Sequence, residues 1–276
     1  LINNYDIINP YEFTKELYSK NYVKLKKNKT CLITFDDGTK DQLNLASSIL
    51  DEYNIKAIFF VLTDVLRNNT VPVSHILHSL LCTHEPEIII EYLINNKVIN
   101  TINKHEIIKN SEIYNYEKDI NRRILKYLVN YELGKKNELI KKCLLEFSNK
   151  NSESEEDIRV KWFASNKDVL KVKSNGHMIG NHGVSHKSYE SLSLQEIKTE
   201  INNSDKYLSN LLGENIQVFA HPQGGDSGKK NKYVATLLTA KNYCACFNAK
   251  SNDLDNPMDI GRIDAALLPP REGFAK

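Results

Sequence analysis

The 276-residue chain is sparing in several respects. It contains one Trp, two Met and seven Pro, and its formal net charge is only +2. So small an imbalance supplies no field for a polyanion, and nucleic acid is not expected as a partner. No apolar run approaches the roughly 18 to 20 positions of a membrane span, so none is expected in the visible chain. Five cysteines, an odd number at no framework spacing, make no disulfide scaffold and point to a reducing compartment. A cytoplasmic location is therefore expected. The alternative is export with a signal removed, because the chain begins at Leu1 without a Met. Cys244 and Cys246 form a C-x-C that strand alternation would place on one face, as buried structural thiols in preference to metal ligands.

With 41% hydrophobic residues there is ample material for a core, which excludes a disordered tail or a collagen-like rod. Residues 30–35 form a short apolar run, 41–53 have helical spacing and 56–62 read as a strand: a βαβ unit. The rhythm returns late. Strands are predicted at 177–182, 216–220, 243–247 and 259–263, with helices at 193–212 and 229–241. In the first of these helices Ser193 and Glu196 make a capping box, Leu194, Ile197, Ile201, Leu208 and Leu211 form the buried stripe, and Gly213 is the stop. Between the two α/β parts the signals are helical, at 85–95, 116–129 and 135–147, followed by a polar run at 149–157. The expected fold is α/β: residues 1–63 and 169–276 form one domain, and 64–168 form a helical insertion packed upon it.

Four polar segments fall where predicted strands end, the place where parallel α/β barrels build their sites. They are Thr34-Phe35-Asp36-Asp37-Gly38, Asn181-His182-Gly183-Val184-Ser185-His186, Phe219-Ala220-His221-Pro222-Gln223-Gly224-Gly225 and Gly261-Arg262-Ile263-Asp264. Two adjacent carboxylates repel unless a cation or proton separates them, so Asp36-Asp37 asks for a metal or a catalytic task; a solvated turn is the alternative. His182 and His186 are four apart. In a helical loop both rings would face one ion, with Asp37 as a third ligand and positions left open for water and substrate.

These segments resemble the motifs of the polysaccharide deacetylase superfamily (NodB homology, carbohydrate esterase family 4). Thr34 to Gly38 is similar to its first motif, His182 to His186 to its metal-binding H-x-x-x-H, Phe219 to Gly224 to its third motif, and Gly261-Arg262-Ile263 to its closing P-R-I. The resemblance implies a distorted (β/α) barrel of about seven strands, one divalent metal with zinc as first choice, and hydrolysis of an N-acyl group on a sugar. It implies Asp37, His182 and His186 as ligands, Asp36 as general base and Arg262 as the group that orients it. The Gln223 N–H, beside Pro222 which has none, is the oxyanion donor it suggests. The substrate would be an amino sugar in a glycan or in a nucleotide- or lipid-linked precursor.

The sequence also departs from that pattern. His221 and Gln223 stand where aromatic or Arg residues are usual, and His221 is read as a proton donor, a substrate contact or a packed ring. The L-x-H that carries the general acid is missing, since the end reads Ala266-Leu267-Leu268-Pro269-Pro270. In a permuted branch that His precedes the first motif, which here would fall before Leu1; His221 or His177 are the substitutes considered. Trp162 and Phe163 are read as core more than as a sugar platform. His75, His78, His84 and His105 are read as surface or packing residues. The insertion is expected to cap the cleft, so that its deletion would broaden substrate choice and spare metal binding. A sugar deformylase and a non-catalytic glycan-binding protein are the competing functions.

Overall fold

Seven short strands form in the computed structural model, which describes residues 3–20, 25, 29–98, 104–114, 117–132, 137–225, 229–249 and 255–265. They are β1 (Asp6–Ile7), β2 (Thr30–Cys31), β3 (Thr34–Phe35), β4 (Ile58–Val61), β5 (Met178–Asn181), β6 (Val218–Ala220) and β7 (Ala245–Phe247). β1 and β2 pair in parallel on their own. The other five form one parallel sheet in chain order, β3-β4-β5-β6-β7, curled into half a barrel. Successive parallel strands need crossovers, and the helical crossovers here give the distorted (β/α) barrel its winding.

Alternation along the strands buries both faces of the sheet. Ile58 and Phe60 of β4 pack on one side with Val218, Phe247 and Ile260, under Phe13 and Leu17 of the helix Pro10–Tyr18. Phe59 and Val61 face the other side with Ile179, Phe219 and Cys246, against Ile197, Ile201 and Leu208 of the helix Leu194–Leu212. Near-continuous apolar runs are what a sheet covered on both faces requires. At Gly180, which pairs with Phe60, a Cβ would lie 2.3 Å from Cδ1 of that ring, so the Phe60 side chain occupies a place that only glycine leaves open.

The helix Leu194–Leu212 begins at Ser193 with the expected capping box to Glu196 and stops at Gly213, φ 68°. Its stripe differs at both ends: Leu194 is exposed, and Leu212 is buried while Leu211 is only partly so. The run 30–35 divides into two strands in different sheets, and the strand expected at 259–263 shrinks to a parallel bridge from Ile260 to Phe247. Cys244 precedes β7 and packs on the opposite side of the sheet from Cys246, so the C-x-C does not share a face. Both thiols are buried, and burial pushes Cys244 up to about 12.

Between β4 and β5 the described residues form helices and no strand of the sheet. The polar run 149–157 closes the helix Asn137–Lys150 and opens Glu155–Trp162, where Ser154 is the N-cap and Asp157 completes the capping box. Tyr116, Lys135 and Lys136, inside two predicted helices, lie outside the described residues. A cluster including Ile76, Leu80, Ile89, Leu93, Leu144 and Phe163 forms a core within this segment. Phe163 is buried and Trp162 donates its Nε1–H to Ser79 Oγ at 3.2 Å, so the aromatic pair is core. Among the described residues no helix is long and apolar enough to cross a membrane.

Candidate metal centre

The carboxyl ends of β3, β5 and β6 meet at one place. Directly after β3 the chain turns at Asp37 and Gly38, with φ of 81° and 73°. A Cβ at Gly38 would come within 3.0 Å of Val61, so the turn needs glycine for both reasons. The turn gives the neighbouring carboxylates different partners. Asp36 receives two bonds of 2.7 Å from Nη1 and Nη2 of Arg262. Asp37 faces imidazoles.

His182 follows β5, and its Nδ1 lies 2.8 Å from the Ala220 carbonyl at the end of β6. That carbonyl accepts, so Nδ1 carries a proton, and in the neutral ring Nε2 keeps its lone pair. The loop from Gly183 to His186 is not helical, contrary to the sequence expectation. Glu200 holds it by accepting from the Val184 and Ser185 N–H groups, at 2.8 and 3.1 Å, and from Ser185 Oγ at 2.7 Å. Asn181 Oδ1 accepts the Gly183 N–H at 2.8 Å, while its Nδ2 donates to Tyr243 Oη at 2.9 Å. His186 sits at φ 58°, a left-handed turn that returns its ring toward Asp37.

Asp37 Oδ1 lies 3.3 Å from His182 Nε2 and 3.2 Å from His186 Nε2. These three ligand atoms fall within 4.8 Å of one another. Oδ1 is buried and has no hydrogen-bond partner. A buried anionic oxygen turned toward an Nε2 lone pair is a set of donors waiting for a cation, and two imidazoles with one carboxylate suit a divalent transition metal. The residues present therefore fit a divalent ion.

The protonation equilibria reflect this crowding. Burial alone would raise the Asp37 carboxyl, but the rings of His186, His75 and His182 around it hold it well below the usual range. Burial likewise opposes charge on His182, yet Asp36, Asp37 and the Ala220 carbonyl outweigh it and raise that ring. His186 goes the other way: burial pushes it down to about 3.

Sequence reasoning missed His75. Its Nε2 stands 3.3 Å from Asp37 Oδ2, and its ring lies 5.4 Å from that of His186, centroid to centroid. His75 belongs to the helix Val73–Leu81, whose other members read as core, and nothing in its spacing to the motifs marks it. Neither His78 nor His84 joins the ligand cluster, and the side chain of His105 is outside the described residues.

The third motif is partly corrected. His221 is 2% exposed, with its ring edge-on to Phe219 and to Tyr189, which matches the packed-ring reading among the three. Pro222 is buried, next to Gly183. Gln223 adopts φ 58° and brings its amide Nε2 to 3.1 Å from His186 Nδ1. His177, the other substitute acid, precedes β5 at the end remote from the site. There its Nδ1 accepts the Ala57 N–H at 3.2 Å and its Nε2 meets Asp51 at 3.1 Å. The segment from Ala266 to Pro270 lies outside the described residues.

Beside His186 a cavity of about 20 Å³ is lined by Ser185 and Gln223 from the barrel and by Val73, Ser74, Val129 and Asn130 from the helical segment. That volume matches a single water molecule.

Comparison with known proteins identifies the fold and the family. No curated protein matches the chain. Among solved structures, the deacetylase PplD of Streptococcus pyogenes, in complex with acetate, is similar at 16% identity and TM-score 0.52, covering 95% of this chain and 74% of that one. IcaB from Ammonifex degensii is similar at 13% identity and TM-score 0.51, covering 94% and 76%. At these identities the likeness is one of fold. The family profile for polysaccharide deacetylases matches residues 24–123 and 147–243, so it spans both halves of the barrel and much of the helical segment between them. On that match, the chain belongs to the polysaccharide deacetylase family.

Proposed function

We propose that the protein is a metal-dependent hydrolase that removes the N-acetyl group from an amino sugar of a glycan or glycan precursor. The reading is carried by Asp37 Oδ1, a buried anionic oxygen without a hydrogen-bond partner, set between the Nε2 atoms of His182 and His186. A divalent cation held by these three would supply Lewis-acid polarisation of the amide carbonyl and would acidify the water that attacks it. The chain's own groups do the rest. Asp36 takes the proton of the attacking water. Arg262 fixes the Asp36 carboxylate in one plane, so the accepting oxygen is placed before substrate arrives. The Gln223 N–H, on the left-handed turn that follows β6, faces the oxyanion of the tetrahedral intermediate.

The helical segment closes one side of the cleft, a role supported by the four residues it contributes to the cavity beside His186. The contact of His75 with Asp37 revises the deletion experiment: removing the segment also removes a neighbour of a metal ligand, so metal binding would not be spared.

The test is incubation of zinc-loaded protein with N-acetyl and N-formyl amino sugars, free and carrier-linked, with released acid read by mass. Acetate release that Asp36→Asn abolishes, with zinc still bound, supports the reading. Formate alone would make the enzyme a deformylase. Glycan binding indifferent to Asp36→Asn, with no acid released, would make the protein a binding member of the fold.

A further inference from the structure

The helix Val73–Leu81 sends two adjacent polar side chains, Ser74 and His75, to the metal centre, both at least nine-tenths buried. Ser74 Oγ lies 3.1 Å from His186 Nδ1 and 3.3 Å from His75 Nδ1. The far side of the His75 ring then meets Asp37, with Nε2 3.3 Å from Oδ2. A continuous polar path therefore leaves one ligand residue, crosses the helical segment and returns to another.

The direction of that path follows from proton counting. A hydroxyl between two ring nitrogens donates to one and accepts from the other. For His186 to present Nε2 to a cation, its Nδ1 must carry the proton and give it to Ser74 Oγ. The Ser74 hydroxyl proton then points to His75 Nδ1. His75 is left with its proton on Nε2, facing Asp37 Oδ2. The reverse direction protonates His186 on Nε2, spoiling it as a ligand, and sets a bare His75 nitrogen against a carboxylate oxygen. As placed, the Gln223 amide nitrogen faces His186 Nδ1 at 3.1 Å and also the His186 carbonyl at 3.5 Å and Asn130 Oδ1 at 3.4 Å; the first direction requires that amide to turn over, giving up the two longer bonds so that its oxygen accepts the Nδ1 proton.

Resting on the reading of Asp37, His182 and His186 as ligands, we propose that Ser74 and His75 are positioning residues that set the tautomer of His186 and hold Asp37 Oδ2, leaving Oδ1 alone for the metal. Outer partners of this kind fix ring orientation and ligand basicity, and their loss typically costs about 10- to 100-fold in metal affinity. His75 is not counted as a ligand itself, because it approaches the other oxygen of Asp37 and lies outside the close group of three.

The test needs no variant to begin with. In the zinc-loaded full chain labelled with 15N-histidine, two-bond proton–nitrogen correlations report each tautomer. The expected result is a proton on Nε2 of His75 and on Nδ1 of both His182 and His186. Zinc bound with His75 protonated on Nδ1, or with its Nε2 ligating, overturns this proposal and leaves the metal site standing. Failure of the wild-type chain to bind zinc overturns both. Chelator competition supplies the second arm. His75→Ala and Ser74→Ala are expected to weaken zinc binding about 10- to 100-fold. His75→Gln, whose amide N–H reaches the same oxygen, is expected to recover most of the loss. Wild-type affinity in both alanine variants overturns the proposal.

Discussion

Arg262 and Asp36, 226 positions apart, meet through two parallel bonds of 2.7 Å. The guanidinium is also anchored behind the pair, by Nη1 to Thr34 Oγ1 at 3.2 Å and Nε to the Asn248 carbonyl at 3.3 Å. The closing segment of the barrel thus orients a carboxylate directly after the first strand of its main sheet. Lysine cannot reproduce that fork. Arg262→Lys is expected to lower kcat about 100-fold, the scale of a misplaced catalytic group, with zinc affinity unchanged. Steady-state kinetics beside a zinc titration would check it, and a parallel fall in affinity would mean that Arg262 serves the metal instead.

Glu200 holds the loop that carries His186 through three charge-assisted bonds, two of them to backbone N–H groups. Glu200→Gln keeps the shape and removes the charge. A loss of about 2 kcal/mol in unfolding free energy is expected, in line with hydrogen bonds to charged groups. Urea denaturation measures it, and zinc affinity should fall in the same variant.

The four motif segments were legible in sequence because each sets, at or near the end of an apolar run, residues that are costly to bury without a partner. Asp37, His182 and His186 converge as expected, and Asp36 with Arg262 forms the expected pair. What could not be read depends on tertiary packing. His75 lies on a helix whose neighbours Val73, Ile76, Leu77 and Leu80 are buried apolar residues, and with no ligand spacing to the motifs it reads as a surface or packing residue. His221 and His177 looked like available acids because a sequence does not say which end of a strand, or which side of a loop, is covered. Strands came out shorter than the apolar runs because a curled sheet pairs only part of each run, as the single bridge at Ile260 shows.

Zinc binding should release a proton from His182. That ring is raised above its ordinary value in the folded protein without metal, and it must surrender its Nε2 proton to ligate. Affinity is therefore expected to rise with pH through the raised value and to level off above it. His186, already neutral down to about 3, contributes little to this dependence. Calorimetric titrations in buffers of different ionisation enthalpy, repeated at falling pH, would count the protons released, and the count should grow as pH falls. A count that does not change with pH contradicts the assignment of His182.

For the metal-free chain the sign at His186 is also fixed. Its folded value lies below that of the unfolded chain, so its contribution to stability is present above about 6.5 and is lost as pH falls toward about 3. Urea midpoints of the metal-free protein should fall with pH across that window, less steeply in a folded His186→Gln variant. Equal slopes for the two would contradict the burial of a neutral ring.

Gly180→Ala tests the barrel apart from the site. The added Cβ would lie 2.3 Å from the Phe60 ring, in a layer with no slack. A destabilisation of about 1–3 kcal/mol is expected from such overpacking. A wild-type urea midpoint would show that the β4–β5 contact is looser than described.

The most direct measurement is anomalous diffraction at the zinc edge from a crystal of the full chain grown with zinc. One peak bounded by Asp37 Oδ1 and the Nε2 atoms of His182 and His186, lost in Asp37→Ala, is the expected result. A protein crystallised at saturating zinc with no density between those three atoms, or with the ion held elsewhere, would contradict the account.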